Sequence, residues 1–400
     1  MRMSSAQIFQ QGISAILAGQ SKLSNTEQQL ATGRRILTPS DDPVAALQIL
    51  DITEDLKLVD QYQRNSNLAQ GQLALEESAL ANVGNILQRT RELVLQANNA
   101  SQSPETRNSI AVEIEARIDE LQGLANKRDA SGEYIFAGFQ SQQEPFSRQG
   151  NTFSFNGDDN QRFLQTGAST QVAVRDSGFD IFMAIASGNG SFSASPDGAN
   201  AGTAVIGSTS ADSSFIRDDY SITFSQATTA DPVTYQVLDS SLGLVAGGNY
   251  VSGSTIEFNG ASIRFDGEPA DSDTFSVASN VKQDIFTTMQ NIVDRLKGAG
   301  AASAEVAVLN SEMGLALDNI DQALGNVLNV RADVGVRLNH VENQLDINES
   351  FNLQLQETLS GIQDLDYAEA ISRFNLQLTT LQAAQQSYVK MQGLSLFNYL

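Results

Sequence analysis

The sequence predicts an α+β fold: a long antiparallel helical coiled coil or bundle formed by both termini, with an antiparallel β-rich outer domain inserted between them. Three observations predict it. Apolar residues recur at heptad spacing at both chain ends. Proline-bearing breaks at 39–43 and at 104 punctuate the N-terminal helical half. Between about 136 and 280 the helical period gives way to short alternating runs rich in β-branched and aromatic residues and bounded by glycine.

The first element opens a seven-residue series at Phe9, continued by Ile16, Leu23, Leu30 and Leu37, with Gly12, Gly19, Thr26 and Gly33 at the intervening positions. Alternating large and small residues let a partner helix approach closely, but glycine inside a helix costs about 1 kcal/mol relative to alanine. This helix therefore needs a partner to be stable. Gly33 suits the left-handed residue that ends a helix, and Pro39 turns Thr38 away from helical angles, so 34–40 reads as a loop. Asp41 or Asp42 then caps a second helix, with Pro43 at its first position where a missing N–H costs nothing.

Val44, Leu47, Leu50, Leu56, Val59, Leu68, Leu75, Leu80, Val83, Leu87 and Val94 carry that second helix to about Asn98. After the break "NNASQSPET", Ile110, Ile114, Ile118, Leu121 and Leu124 mark a third helix. Strand patterns follow in "NTFSFNG", "STQVAVRD", "DYSITFSQ", "PVTYQVLD" and "STIEFNGASIRFDGEP", whereas the Gly/Ser/Ala-rich stretch 188–214 reads as surface loop. From 140 to 280 sixteen Asp or Glu stand against five Arg and no Lys, so this domain carries a strongly acidic, solvated surface. Helical periodicity returns near Val281. Ile285, Met289, Ile292, Val293 and Leu296 form a short helix, and a long one bears Leu309, Met313, Leu317, Ile320, Leu324, Val327, Val334, Leu338, Val341 and Leu345. The last segment repeats Tyr367, Ile371, Phe374, Leu378, Leu381, Gln385 and Tyr388 at four-three spacing. The expected organisation is therefore 1–40 inner coiled-coil segment and loop, 41–135 helical rod, 136–280 outer β domain, 281–345 returning rod and 346–400 inner coiled-coil segment.

Bulk properties exclude several classes of function. A net charge of −23 opposes nucleic acid and anionic membrane surfaces as partners. The absence of cysteine removes disulfides, thiolate metal sites and cysteine nucleophiles. No 18-residue apolar run is present for membrane insertion, and the N-terminus lacks the apolar core of a cleaved signal peptide, so any export is expected to use another route.

The ordered set of "MRMSSAQIFQQGISAI", "ATGRRI", "PSDDPVAA", "DASGEYIFAGFQS" and "RFNLQLTTLQAAQQSYVKMQGLSLFNYL" resembles the flagellin superfamily, and within it most closely the hook–filament junction family. The phrase "IEFNGASIRFDGEPADSDTFSV", punctuated by Gly260, Gly267 and Pro269, resembles outer domains of the same superfamily. Flagellin proper more typically follows a serine-glycine loop with "NSAKDDAA"; here Pro39 and Pro43 bracket the acidic pair, which favours the junction family. The resemblance covers roughly 1–145 and 250–400. It implies a structural adaptor exported unfolded through the flagellar type III channel, without a cleaved signal, to the extracellular hook–filament junction. The implied partners are other copies of the chain, hook-associated protein 1 on the hook side, flagellin on the filament side and a type III export chaperone, for which the amphipathic residues 367–400 are the expected docking segment.

The candidate assembly interface is Phe9, Ile16, Leu23 and Leu30 with Tyr367, Ile371, Phe374, Leu378, Leu381 and Tyr388, which serve either as an intramolecular core or as a seam also used between subunits. Gly33, Arg34, Arg35, Pro39, Asp41, Asp42 and Pro43 form the candidate inter-layer loop; helix capping alone accounts for the aspartates, and the resemblance adds an inter-subunit role. No catalytic, metal or cofactor residues are expected. His340 reads as a solvated helix residue, the pairs Asp158/Asp159 and Asp271/Asp273 do not continue into a calcium loop, "SGNGSF" lacks the following helix of a dinucleotide site, and no GxSxG elbow occurs. Three rival readings remain: a flagellin filament subunit, a type III-secreted adhesin or binding module, and a secreted enzyme on a coiled-coil stalk.

Overall fold

The computed structural model describes residues 5–99, 101–228, 230–279 and 281–393. The chain forms two compact units: one built from both ends, up to Asn65 and from Gln344 onward, and one comprising Ser66–Asn343. The architecture is the α+β arrangement that the heptads and strand patterns predict, with helical ends and an antiparallel β-rich middle.

In the first unit α1 (Ser5–Thr32) pairs with α6 (Tyr367–Gly393), alongside the first part of α2 (Pro43–Ala97) and the last part of α5 (Ser303–Gln363). Gly33 ends α1 at a φ of 70°, its N–H donating to the Gln29 carbonyl at 2.8 Å. The heptad series therefore stops one member early, and Leu37 lies in the loop because the left-handed glycine turns the chain before it.

In the second unit α2 and α5 pack with α3 (Pro104–Ala125) and α4 (Ile285–Gly298). Their buried faces carry Leu73, Leu80 and Leu87, then Ile114, Ile118 and Leu121, then Met289 and Ile292, then Met313, Ile320 and Val327. Ser103 caps α3 through the Thr106 N–H, and Asp284 caps α4 through the Thr287 N–H at 2.6 Å. Ion pairs Arg89–Glu113, Arg91–Asp321 and Lys297–Glu115 join neighbouring helices at their exposed edges, where they set pairing more than stability. Four residues of the apolar pattern on α2 are exposed, Val44, Leu47 and Leu50 in the first unit and Leu68 in the second, whereas Ala69 and Ala79 are fully buried.

Strands β1 (Phe146–Gln149) and β2 (Thr152–Phe155) form one hairpin, and β3 (Phe163–Gln165) and β4 (Gln171–Ala173) another. A π turn (Phe179–Met183) leads to β5 (Ile185–Ala186), β6 (Phe192–Pro196), β7 (Val205–Ala211), β8 (Tyr220–Ser225), β9 (Thr234–Leu238), β10 (Leu244–Asn249), β11 (Thr255–Phe258), β12 (Ala261–Asp266), β13 (Thr274–Ser279) and β14 (Lys282–Gln283). A five-stranded antiparallel sheet in the order β10-β9-β8-β13-β6 and a three-stranded sheet β11-β12-β7 bury Phe192, Ile222, Phe224, Ile263, Phe265 and Phe275 in one core. The β11–β12 hairpin turns on Asn259 and Gly260, both at positive φ, as the "NG" in its sequence requires.

The stretch 188–214 is not the surface loop its composition suggests. It supplies β6, paired with β13, and β7, paired with β12. Phe192, Ala194 and Ile206 point inward, and the small Ser and Ala residues between them fit a closely packed sheet as well as they would fit a loop. The Asp273 carboxylate fixes the connection between these strands by accepting backbone N–H bonds from Ala201, Gly202 and Ala270 at 2.8–3.0 Å.

Candidate assembly interface

The pairing of α1 with α6 is built on complementary size. Phe9 meets Tyr388 edge to face, with ring centroids 6.1 Å apart. A Cβ on Gly12 would lie 3.1 Å from the Tyr388 ring, one on Gly19 would lie 3.4 Å from Leu381 Cδ1, and one on Gly33 would lie 2.9 Å from the Tyr367 hydroxyl. Seven residues forward on α1 thus answer to seven back on α6, large against small. The same register sets Ile16, Leu23 and Leu30 opposite Ala384, Gln377 and Ala370; Ala370 is fully buried, and Gln377 Oε1 accepts the Thr26 hydroxyl at 2.9 Å. Phe374, Leu378 and Leu381 are half-buried, whereas Tyr367 and Ile371 are about half exposed, at 53% and 50%.

The breaks that end α1 and α5 are zipped to each other. The Arg35 N–H donates to the Gln363 carbonyl at 2.8 Å, the Leu365 N–H donates to the Gly33 carbonyl at 2.9 Å, and Arg34 faces Asp364 in an antiparallel bridge. The Arg35 guanidinium reaches the Ile362 carbonyl, an orphan acceptor at the end of α5, at 2.7 Å. Each aspartate of the loop has its own task. Asp42 caps α2 by accepting the Ala45 N–H, with Pro43 as the first helical residue. Asp41 accepts the N–H groups of Thr38 and Leu37, which hold its carboxyl below the usual carboxylate range. Pro39 sits exposed in the turn between them.

Pairing leaves much of the apolar surface of both helices unused. Ile13 and Leu17 on α1, and Leu376 and Val389 on α6, stay exposed, Leu376 at 69%. A groove of about 400 Å³ between the helices is lined by Ala15, Ala18, Gly19, Leu376, Thr380 and Ala384 together with Lys22 and Arg373. Arg373 Nε is buried there without a hydrogen-bond partner.

Several parts of this site carry no apolar signal in the sequence. The turn 364–366 interrupts an otherwise helical stretch and itself holds no proline or glycine; Asp366 in it caps α6 through the Ala368 and Glu369 N–H groups. Ala370, Gln377 and Ala384 escape an apolar count because they are small or polar. Residues 1–4 and 394–400, which belong to the terminal motifs, lie outside the described residues. His340 is exposed on α5, and the Asp158 carboxylate accepts the Phe139 and Asn160 N–H groups as a turn staple.

Residues 4–141 match the bacterial flagellin N-terminal helical region, and residues 317–400 match the bacterial flagellin C-terminal helical region. The paired ends and their breaks are therefore those of the flagellin class of flagellar subunit. Over its length the chain is similar to flagellar hook-associated protein 3 of Escherichia coli (strain K12), at 27% identity over 99% of each chain. It is also similar to two crystal structures. FlgL of Xanthomonas campestris is 32% identical, with 77% of this chain and 99% of that one covered at a TM-score of 0.72. The flagellar junction protein FlgL of Legionella pneumophila is 35% identical, with 74% and 99% covered at a TM-score of 0.69. The chain belongs to the flagellar hook-associated protein 3 family, whose members are structural subunits of the hook–filament junction. Among the described residues no helix is long and apolar enough to cross a membrane.

Proposed function

We propose that the chain serves the junction through α1 and α6, which fold onto each other first and then pack against other copies of the chain. The observation that carries this reading is the surplus of apolar surface left by their pairing: Ile13, Leu17, Leu376 and Val389 remain in water. Burying a side chain of this size contributes roughly 1.5–3 kcal/mol, so a few such positions on each copy suffice to drive lateral association. On this reading 1–40 and 346–400 line the inner tube and 41–135 with 281–345 form the surrounding layer. The acidic 136–280 then faces outward, where like charge favours solubility. The zipped loop, from Gly33 to Pro43, sets the offset between the two layers.

The axial partners are hook-associated protein 1 below and flagellin above, so the two ends of the subunit ring must differ. The work is mechanical and templating, with no catalytic step. Export proceeds unfolded through the type III channel with a chaperone on the C-terminal segment. The glycine-bearing seam supports this, because a helix weakened by Gly12 and Gly19 gains its order mainly from packing.

The chain has no cysteine, so single-cysteine variants L17C and L376C report one site each. Both are expected to react freely with a maleimide in the monomer and to be protected in isolated hook–filament assemblies. Equal labelling in the two states would overturn the inter-subunit reading.

A further inference from the structure

Glu76 lies on the buried face of α2 between Leu73 and Leu80 and is 1% exposed. Its Oε1 accepts the Asp176 backbone N–H at 3.0 Å, while Oε2 is buried with no donor directed at it. The Asp176 carboxyl, brought beside Glu76 by that backbone contact, takes one donor on each oxygen and keeps acceptor sites for another. Gln161 Nε2 donates to its Oδ1 at 2.6 Å, and the Arg337 guanidinium of α5 donates to Oδ2.

Among the described residues, the arginines around this pair have other commitments. Arg337 also bonds the Ala173 carbonyl at 3.2 Å. Arg175, adjacent to Asp176, turns away to Asp129 and Glu133, and Arg331 is paired with Glu77. With both carboxyls ionised, Glu76 and Asp176 would share one guanidinium and leave a buried negative charge uncompensated. Such a charge is strongly disfavoured away from water.

We infer that Glu76 is a neutral carboxylic acid whose Oε2 proton is shared with Asp176, and that this proton is a pH-sensitive latch fastening the segment between β4 and the π turn to α2 and α5. Burial first, and the Asp176 charge second, push the Glu76 carboxyl up to about 8. The folded value lies above that of the unfolded chain, 4.5, so the folded protein holds a proton the unfolded chain has lost. The stabilisation is full below the unfolded value and is lost as pH rises through the folded one. In base the proton leaves to solvent, and the two facing carboxylates repel.

The test compares the full-length chain with E76Q, which keeps the shape and stays neutral. The wild-type unfolding constant is expected to rise relative to that of E76Q by up to ~10-fold per pH unit from pH 5 to 8 and to level off above. Amide exchange in 174–183, corrected for intrinsic base catalysis, should quicken over the same interval in the wild type alone and level off above pH 8. Parallel pH curves for the two proteins would overturn the latch. Should E76Q fail to fold, infrared spectra of the wild type decide: a protonated-carboxyl C=O band at pH 7 that titrates away in base supports it, and its absence at pH 7 sinks it.

Discussion

At Gly33 a side chain has two reasons not to fit. The backbone sits at a φ of 70°, and a Cβ would press on the Tyr367 hydroxyl at 2.9 Å. Left-handed geometry costs a non-glycine residue roughly 1–2 kcal/mol, so Gly33→Ala should lower the urea-unfolding free energy by at least about 1 kcal/mol. Asp42→Ala, which removes only a cap, should cost about 1 kcal/mol without disturbing the Gly33–Leu365 hydrogen bond. Much at this scale is legible in the sequence. A glycine after a periodic run and an aspartate before a proline each declare a backbone geometry. Asp41 and Asp42 are indistinguishable there as caps, because the choice rests on which carboxylate meets the first free N–H groups of α2 and which meets the turn at Thr38. Glu76 gives no sign at all, since its burial depends on Asp176 and Arg337, which are distant in sequence.

Among elements, the α1–α6 pair turns on small residues. Gly19 has ordinary van der Waals room for a methyl group against Leu381, whereas Gly12 is tight against the Tyr388 ring. Gly19→Ala should therefore raise helicity and stability by up to about 1 kcal/mol. Gly12→Ala should gain less or lose, because the ring must shift; circular dichroism during thermal unfolding separates the two. The heptads of α1 are plain in its sequence because its large residues face inward. Those of α6 are less plain, since Ile371 is half exposed while its small neighbour Ala370 is fully buried and the polar Gln377 bonds Thr26 of α1. The same blindness to small residues hides β6 and β7 in a stretch rich in serine, alanine and glycine.

For the molecule as a whole, the order of parts is legible and their mutual fastening is not. Heptads, proline breaks and strand alternation place helical ends around a β-rich middle, because each is a local pattern with its own period. The zipper between 33–35 and 363–365 joins residues more than three hundred positions apart through backbone groups, which have no sequence signature. If this fold closes the junction on which flagellin polymerises, its loss must leave hooks bare. Electron microscopy of a strain lacking the gene, paired with an assay for flagellin in the medium, tests it most directly. Hooks without filaments and flagellin monomers shed into the medium, both reversed by the restored gene, are expected; normal filaments on the deletion strain would contradict the junction role.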